Sequence, residues 1–184
     1  MLEFKGKHST VYVKDGKAIK VFKPEFRYNF WKEVRYLTVL QSRRFVPKLY
    51  DFDPSELKVE MEYLNGIPIR EFVKVADTEE LRGVLEKCLD ICHRLDRMRI
   101  QKEEMNHPGK HIIIVQGKVY FIDFERAFDS PNPSNVTQFV TYLLSKPIME
   151  KAKLRAPPVE LLKEYKRDYS VKSYVRLKRA IFGR

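Results

Sequence analysis

Two residues of opposite charge fall on otherwise apolar faces of predicted elements, where they could pair and direct the positive one at a bound anion. Lys20 shares one face of a predicted strand with Ala18 and Phe22. Glu33 lies within the apolar sector of the helix predicted to follow. Because a buried carboxylate is costly unless it is paired, the pattern predicts a Lys20–Glu33 ion pair that points the ammonium at a bound anion. The alternative is a lysine that reaches solvent from an edge strand, with a glutamate at the helix margin.

Two more polar residues flank the apolar strands of a predicted hairpin. Asp123 follows the run 119–122, and a carboxylate at the end of a buried strand is a good ligand for a hard metal ion. His111 opens the run 112–115. Each alone is typical of an ordinary strand end, but a histidine beside Asp123 across a hairpin is more suggestive of a functional site.

The elements that must position these groups form a strand-rich first third and a helical remainder, an α+β fold. Asp15-Gly16 between alternating apolar runs predicts a hairpin, and Asn29 and Thr78 are predicted helix caps. The predicted strands are 9–13, 18–22, 48–53, 57–63, 112–115 and 119–122. The predicted helices are 29–41, 78–98, 136–144, 158–167 and 171–182.

Composition is compatible with an anionic partner and equally with a lysine-rich surface that binds none. The 184 residues carry a formal net charge of +11 and 33 % charged residues, which favours nucleic acid, nucleotide or acidic lipid, or is simply a lysine-rich surface. Cys88 and Cys92 are four apart in a helical pattern, which favours buried thiols over a disulfide or a metal pair. No signal peptide or membrane span is predicted, so we expect a cytoplasmic protein.

The order of these features resembles that of the protein-kinase-like superfamily. Residues 18–20 (Ala-Ile-Lys) are similar to the kinase lysine strand, 61–66 to the hinge, and 122–124 (Ile-Asp-Phe) to the metal-binding Asp motif, with Glu125 where kinases usually have glycine. The loop 6–12 resembles the shortened loop of RIO-type kinases. The whole chain is similar to a family of small predicted archaeal serine/threonine kinases through segments 102–104, 108–111, 122–126 and 135–138.

The resemblance implies a two-lobed protein-kinase-like fold, with a nucleotide-binding lobe at 1–63 and a helical lobe at 64–184. ATP and Mg²⁺ (or Mn²⁺) would bind between the lobes. Lys20 would hold the α- and β-phosphates, Glu33 would orient Lys20, and Asp123 would bind the metal. The remaining implied ligands are Gly6, Lys7 and Ser9 for the phosphates, Glu62 and Leu64 for adenine, and His111 for the metal.

The catalytic loop departs from the kinase pattern, and two alignments remain open. One puts Glu104 at the position of the catalytic Asp. The other puts Asn106 there, with His111 at the metal-binding Asn. Glu104 could accept a hydroxyl proton, whereas Asn106 could not act as a base.

We therefore expect an ATP-dependent phosphotransferase, an atypical serine/threonine protein kinase with an unidentified protein acceptor. The alternative is an ATP-binding pseudokinase or accessory protein that contacts RNA or the ribosome through its basic tail, 172–184. A small-molecule kinase is a third interpretation. The tail itself could be an amphipathic helix that packs through Val171, Tyr174, Val175 and Ile181.

Overall fold

The computed structural model describes residues 2–183 and shows an α+β protein. The chain divides into two compact units. Unit 1 comprises the residues through Gly66 together with Tyr120–Ala127, and unit 2 comprises Ile67–Val119 and the residues from Phe128 onward. The expected division after residue 63 did not include the return of 120–127 to the first unit. That return has a local cause, because the Phe121 amide donates to the Phe45 carbonyl at 2.7 Å.

Unit 1 is built on a five-stranded antiparallel sheet. Its strands are β1 (Leu2–Lys5), β2 (Ser9–Lys14), β3 (Lys17–Phe22), β4 (Leu49–Asp53) and β5 (Lys58–Glu62), in the order β1-β2-β3-β5-β4. The turn between β2 and β3 places Asp15 and Gly16 at φ of 51° and 73°, the left-handed pair that an Asp-Gly hairpin turn needs. The edge strand β1 was not predicted.

One helix, α1 (Arg27–Leu40), belongs to this unit, and its apolar stripe is buried as predicted. The prediction that Asn29 caps it is wrong. The helix begins at Arg27, after Phe26, and has no side-chain cap. Asn29 instead uses its side-chain amide to donate to the Glu125 carbonyl at 3.0 Å.

Unit 2 contains six helices among its described residues. They are α2 (Ile69–Val75), α3 (Thr78–Arg97), α4 (Asn135–Leu143), α5 (Lys146–Lys151), α6 (Val159–Asp168) and α7 (Val171–Phe182). The short strands are β6 (Ile67–Pro68), β7 (Ile100–Gln101), β8 (Ile112–Val115), β9 (Lys118–Phe121) and β10 (Phe128–Asp129). They form the sheets β6-β8-β9 and β7-β10, and β9 carries the chain into unit 1. Helices α2 and α5 were not predicted.

Helix α3 is the centre of the unit 2 core. Asp77 caps it in a reciprocal capping box with Glu80, so the prediction of Thr78 as the cap is off by one residue. The Thr78 hydroxyl donates to the Lys151 carbonyl instead. Cys88 and Cys92 are free and buried on its inner face, as expected, and burial raises the pKa of both thiols. None of the helices within residues 2–183 is long and apolar enough to cross a membrane.

Candidate functional site

The Lys20 ammonium lies at the centre of a cluster of carboxylates in unit 1. Its Nζ donates to Oδ1 of Asp123 at 2.9 Å and lies 2.9 Å from Oε2 of Glu125. It also lies 3.7 Å from Oε2 of Glu33. The structure therefore contains the Lys20–Glu33 ion pair predicted from the two faces, and it adds two carboxylates from the segment after β9.

The sheet register explains why Lys20 points inward. Lys20 pairs with Val11 on β2 and with Val59 on β5, and directly opposite residues share a face of the sheet. Lys20 is 7 % exposed, and Glu33 on α1 is 1 % exposed. The long lysine stem thus lies along apolar surface, while its charged end meets the carboxylates.

The electrostatics of the cluster keep Lys20 protonated. Burial alone would lower the pKa of an amine, because it disfavours the charged form. The carboxylates of Glu33, Asp123 and Glu125 outweigh that effect and raise the pKa of Lys20 well above its ordinary value. Lys20 therefore stays protonated at physiological pH.

The segment that carries Asp123 and Glu125 has an unusual backbone conformation at Asp123. Asp123 adopts a left-handed conformation with φ of 65°, which is uncommon for a residue other than glycine and often marks a functional position. Phe124 between them is fully buried and anchors the segment. The Ala127 amide donates to the Phe124 carbonyl at 3.0 Å and closes the turn.

Glu125 is held through both its side-chain carboxylate and its backbone carbonyl. Its Oε1 lies 2.5 Å from Nδ1 of His8, its carbonyl accepts from Asn29, and its side chain is almost fully buried. His8 itself packs against the Phe26 ring at a centroid distance of 4.1 Å. The loop before β2 is thereby tied to the segment that carries Asp123.

The loop proposed to cover phosphates has the close backbone packing that glycine permits. The Gly6 amide donates to the Ser9 carbonyl at 2.8 Å. A Cβ at Gly6 would lie 3.0 Å from that same carbonyl oxygen, so a larger residue would force the turn open. Lys7 is exposed, and its carbonyl accepts from Lys23.

The segment 62–64, expected to contact adenine, continues β5. The Glu62 amide donates to the Lys48 carbonyl and the Tyr63 amide to the Gly16 carbonyl. The Leu64 carbonyl accepts from Gly66. Among the described residues, the Leu64 amide has no recorded hydrogen bond, so it is the backbone amide of this segment that remains available to a ligand.

Glu104 and His111, the remaining candidates, belong to unit 2 and lie close to each other. The Nε2 of His111 is 3.6 Å from Oε2 of Glu104. Glu104 is exposed, and its φ of 66° is again left-handed. Asn106, the competing candidate, is half-buried in the same loop.

A buried polar network anchors the start of this loop. Asn135, at the first turn of α4, accepts from the Lys102 amide at 2.8 Å and donates to the Ile100 carbonyl at 2.7 Å. It also donates to Asp96 of α3 at 2.7 Å, and Asp96 in turn accepts from Tyr165 at 2.9 Å. Burial raises the pKa of Asp96. The network fixes the backbone at 100–102.

The sequence did not predict Glu125, His8, Asn29, Asp96 or Asn135 as site residues. Glu125 could have been found, because it follows Asp123 by only two residues. His8 lies 117 residues from its partner, and no local pattern links the two.

The described residues offer a divalent metal ion few protein ligands. Within residues 2–183 no group of three or more His, Cys, Asp or Glu side chains is arranged to hold a metal ion. Mg²⁺, however, usually keeps several waters and binds through one or two carboxylates plus substrate phosphates. The part-exposed Asp123 carboxylate fits that mode, whereas the imidazole of His111 suits Mg²⁺ poorly.

Comparison with known proteins gives one archaeal relative. No family model matches the chain. An uncharacterized protein of Methanocaldococcus jannaschii is 27 % identical over 114 residues, which is 59 % of this chain and 97 % of the relative. This similarity assigns neither a family nor an activity.

Proposed function

We propose that the protein is an ATP-dependent phosphotransferase, an atypical serine/threonine protein kinase on a protein-kinase-like fold. Unit 1 would be its nucleotide-binding lobe and unit 2 its helical lobe. The observation that carries the proposal is the Lys20 ammonium, which is buried on an apolar sheet face and held by Glu33 and Asp123. A lysine fixed between a helix glutamate and an aspartate is the arrangement by which kinases hold nucleotide phosphates beside a metal.

Each part of the nucleotide has a candidate partner in unit 1. Lys20 would bind the phosphates, and the backbone at Gly6, Lys7 and Ser9 would cover them. The adenine would meet the half-buried Val11 and Ala18, which share the face of Lys20, and the amide of Leu64. Glu62 contributes its backbone carbonyl, since its amide is already bonded.

Asp123 would hold the divalent ion, Mg²⁺ or Mn²⁺, together with the phosphates. The ion supplies neutralisation of phosphate charge when it is bound. The hydrogen bond from the Lys20 ammonium to one Asp123 oxygen fixes the two groups relative to each other. His111 remains a weaker candidate ligand.

Glu104 is the proposed proton acceptor for the substrate hydroxyl. A carboxylate is a suitable general base for that step, and the exposed Glu104 is open to an acceptor protein. Its loop is anchored through Lys102 and Asn135, and such anchoring preserves the orientation on which phosphoryl transfer depends.

A nucleotide-binding protein without transfer activity is the second candidate. It is favoured by Glu125, which stands where kinases usually have glycine and occupies Lys20 at 2.9 Å. A phosphate oxygen would have to compete with this carboxylate for the ammonium. The two candidate functions share the nucleotide site and differ in whether the γ-phosphate is transferred to an acceptor.

The test is incubation with γ-phosphate-labelled ATP, Mg²⁺ or Mn²⁺ and a panel of proteins, beside Asp123→Ala and Glu104→Gln variants. Label transfer by the wild type that both variants reduce at least tenfold supports a kinase. ATP binding without transfer supports the accessory protein. Equal labelling by all three proteins contradicts the assigned roles.

A further inference from the structure

The positive charge of the chain is concentrated in its last helices. Residues 146–184 contain twelve Lys or Arg and four Asp or Glu, a formal charge of +8, whereas the preceding 145 residues account for only +3. Such segregation indicates a binding surface more than a generally lysine-rich exterior.

Three of these basic residues form a row along the outer face of α7. Lys172, Arg176 and Arg179 are all exposed, and their spacing of four and three residues puts them on one side of a helix. The row spans about 10 Å at the helical rise of about 1.5 Å per residue. The opposite face of α7, with Ser173, Tyr174, Leu177, Ile181 and Phe182, is buried, so the helix presents the row to solvent.

Neighbouring cations extend the α7 row at both sides. The Arg155 amide donates to the Ile181 carbonyl at 2.9 Å, and its guanidinium lies beside Gly183 at the C-terminal end of α7. On α6, Lys163 and Arg167 are exposed one helical turn apart. Glu164 on α6 pairs with Arg176 and joins the two helices side by side.

Other lysines of this region have partners within the protein, so they are not part of the proposed binding surface. Lys151 donates to the carbonyls of Val73 and Lys74, and Lys178 pairs with Asp90. Within residues 2–183 the structure records no carboxylate partner for Lys172, Arg179 or Arg155. These three cations are available to an external anion.

The exposed side chains and the width of the α6–α7 surface favour some polyanionic partners over others. The aromatic rings of α6, α7 and the turn between them are buried, so the surface offers no platform for stacking the bases of a single strand. Its exposed apolar side chains are valines, such as Val171 and Val175, and it lacks the Trp, Phe or Leu that anchor interfacial helices in lipid. A surface two helices wide cannot enter the major groove of DNA as a single helix does.

We infer that the α6–α7 surface binds double-stranded RNA through its phosphate backbone. A-form RNA has a wide, shallow minor groove bordered by phosphates, which accepts a broad basic surface without base readout. Over the length of the α7 row a duplex presents about six phosphate charges. RNA binding by this surface does not require phosphoryl transfer, so the two activities can be tested separately.

The experiment measures anisotropy of a labelled RNA duplex of roughly 16–20 base pairs at salt concentrations from about 50 to 200 mM. The variant Lys172→Gln/Arg176→Gln/Arg179→Gln should weaken binding at least tenfold and reduce the slope of log Kd against log salt by about two to three. The matched control is Lys14→Gln/Lys110→Gln/Lys118→Gln, which removes the same charge from exposed positions elsewhere and should change both quantities little.

Several results would overturn the inference. They are equal losses in the two triple variants, equal binding to a DNA duplex of the same sequence, preference for the single-stranded RNA, or stronger binding to phosphatidylserine vesicles than to the duplex. If the loss of the Arg176–Glu164 pair unfolds the variant, Lys172→Gln/Arg179→Gln keeps that pair and should still reduce the slope by about two.

Discussion

Glu125→Gln tests whether Glu125 competes with nucleotide phosphate for Lys20. The substitution keeps the size of the side chain and removes its charge. A phosphate oxygen bound to Nζ would sit about 3 Å from it, as the Glu125 oxygen already does at 2.9 Å. The two anionic groups would then lie roughly 5 Å apart, where two unit charges repel by about 3 kcal/mol at an effective dielectric constant of about 20.

About half of that repulsion should be recovered as affinity, because the Glu125 carboxylate also holds Lys20 in position and its loss offsets part of the gain. A gain of about 1.5 kcal/mol corresponds to roughly tenfold tighter binding of ATP. Isothermal titration of ATP, with and without Mg²⁺, measures it. Glu60→Gln is the matched control, since Glu60 lies in the same sheet and pairs with Lys17 instead.

The result that would refute the reasoning is unchanged or weaker ATP binding by Glu125→Gln in the presence of Mg²⁺. Weaker binding that appears only with the metal would identify Glu125 as a metal ligand. Equal gains in Glu125→Gln and Glu60→Gln would indicate a general charge effect, without competition at Lys20.

Three further predictions concern unit 2. Asn135→Ala should lower the free energy of unfolding by about 3 kcal/mol, because it leaves buried backbone groups and Asp96 without their partner; urea denaturation measures it, and a loss below about 1 kcal/mol would contradict it. Burial lowers the pKa of His93 from 6.5 to about 4, so between those values the unfolded chain binds a proton that the folded chain does not, and stability falls as the pH falls. His93→Phe should abolish about 2 kcal/mol of the loss between pH 7 and pH 4.5, and an unchanged pH dependence would argue against the assignment. Asp77→Ala should cost about 1 kcal/mol through loss of the α3 capping box with Glu80, seen as a lower Tm, whereas Thr78→Val should cost less.

Burial lowers the pKa of His93, and the charge of Arg97 lowers it further; the contacts of the ring show why a charged form is disfavoured there. Tyr165 has one hydroxyl proton and donates it to Asp96, so Nδ1 of His93 must donate to the Tyr165 oxygen at 3.0 Å. Its Nε2 is buried and has no hydrogen-bond partner within the described residues. The ring also stacks on Tyr174 at 4.0 Å. A second proton on this ring would place a charge where no described group can accept its hydrogen bond.

Local patterns were sufficient to predict the elements around Lys20. Alternation in β3 and helical periodicity in α1 depend only on which face is buried, so the inward direction of Lys20 and Glu33 could be recognised from the amino-acid sequence alone. The hairpin at Asp15-Gly16 has a specific turn requirement and was equally predictable. Helix α2 was not, because its seven residues give too few repeats for a period to show.

The rest of the site depends on contacts between distant segments. The convergence of Glu125 and His8 requires the left-handed backbone at Asp123 and the buried anchor at Phe124, and neither has a distinctive local signature. Asn135 is an ordinary residue for a helix start, and only the packing of α4 against α3 shows it to be the centre of a network.

Equilibrium binding of ATP and Mg²⁺ to the wild type and to Lys20→Met tests the central claim most directly. Lys17→Met is the matched control, since it lies on the same strand and its side chain is exposed. We predict that the wild type and Lys17→Met bind alike, and that Lys20→Met, shown to be folded by circular dichroism, binds at least tenfold more weakly. Equal binding by all three proteins, or none by the wild type, would contradict the assignment of Lys20 as the phosphate-binding group.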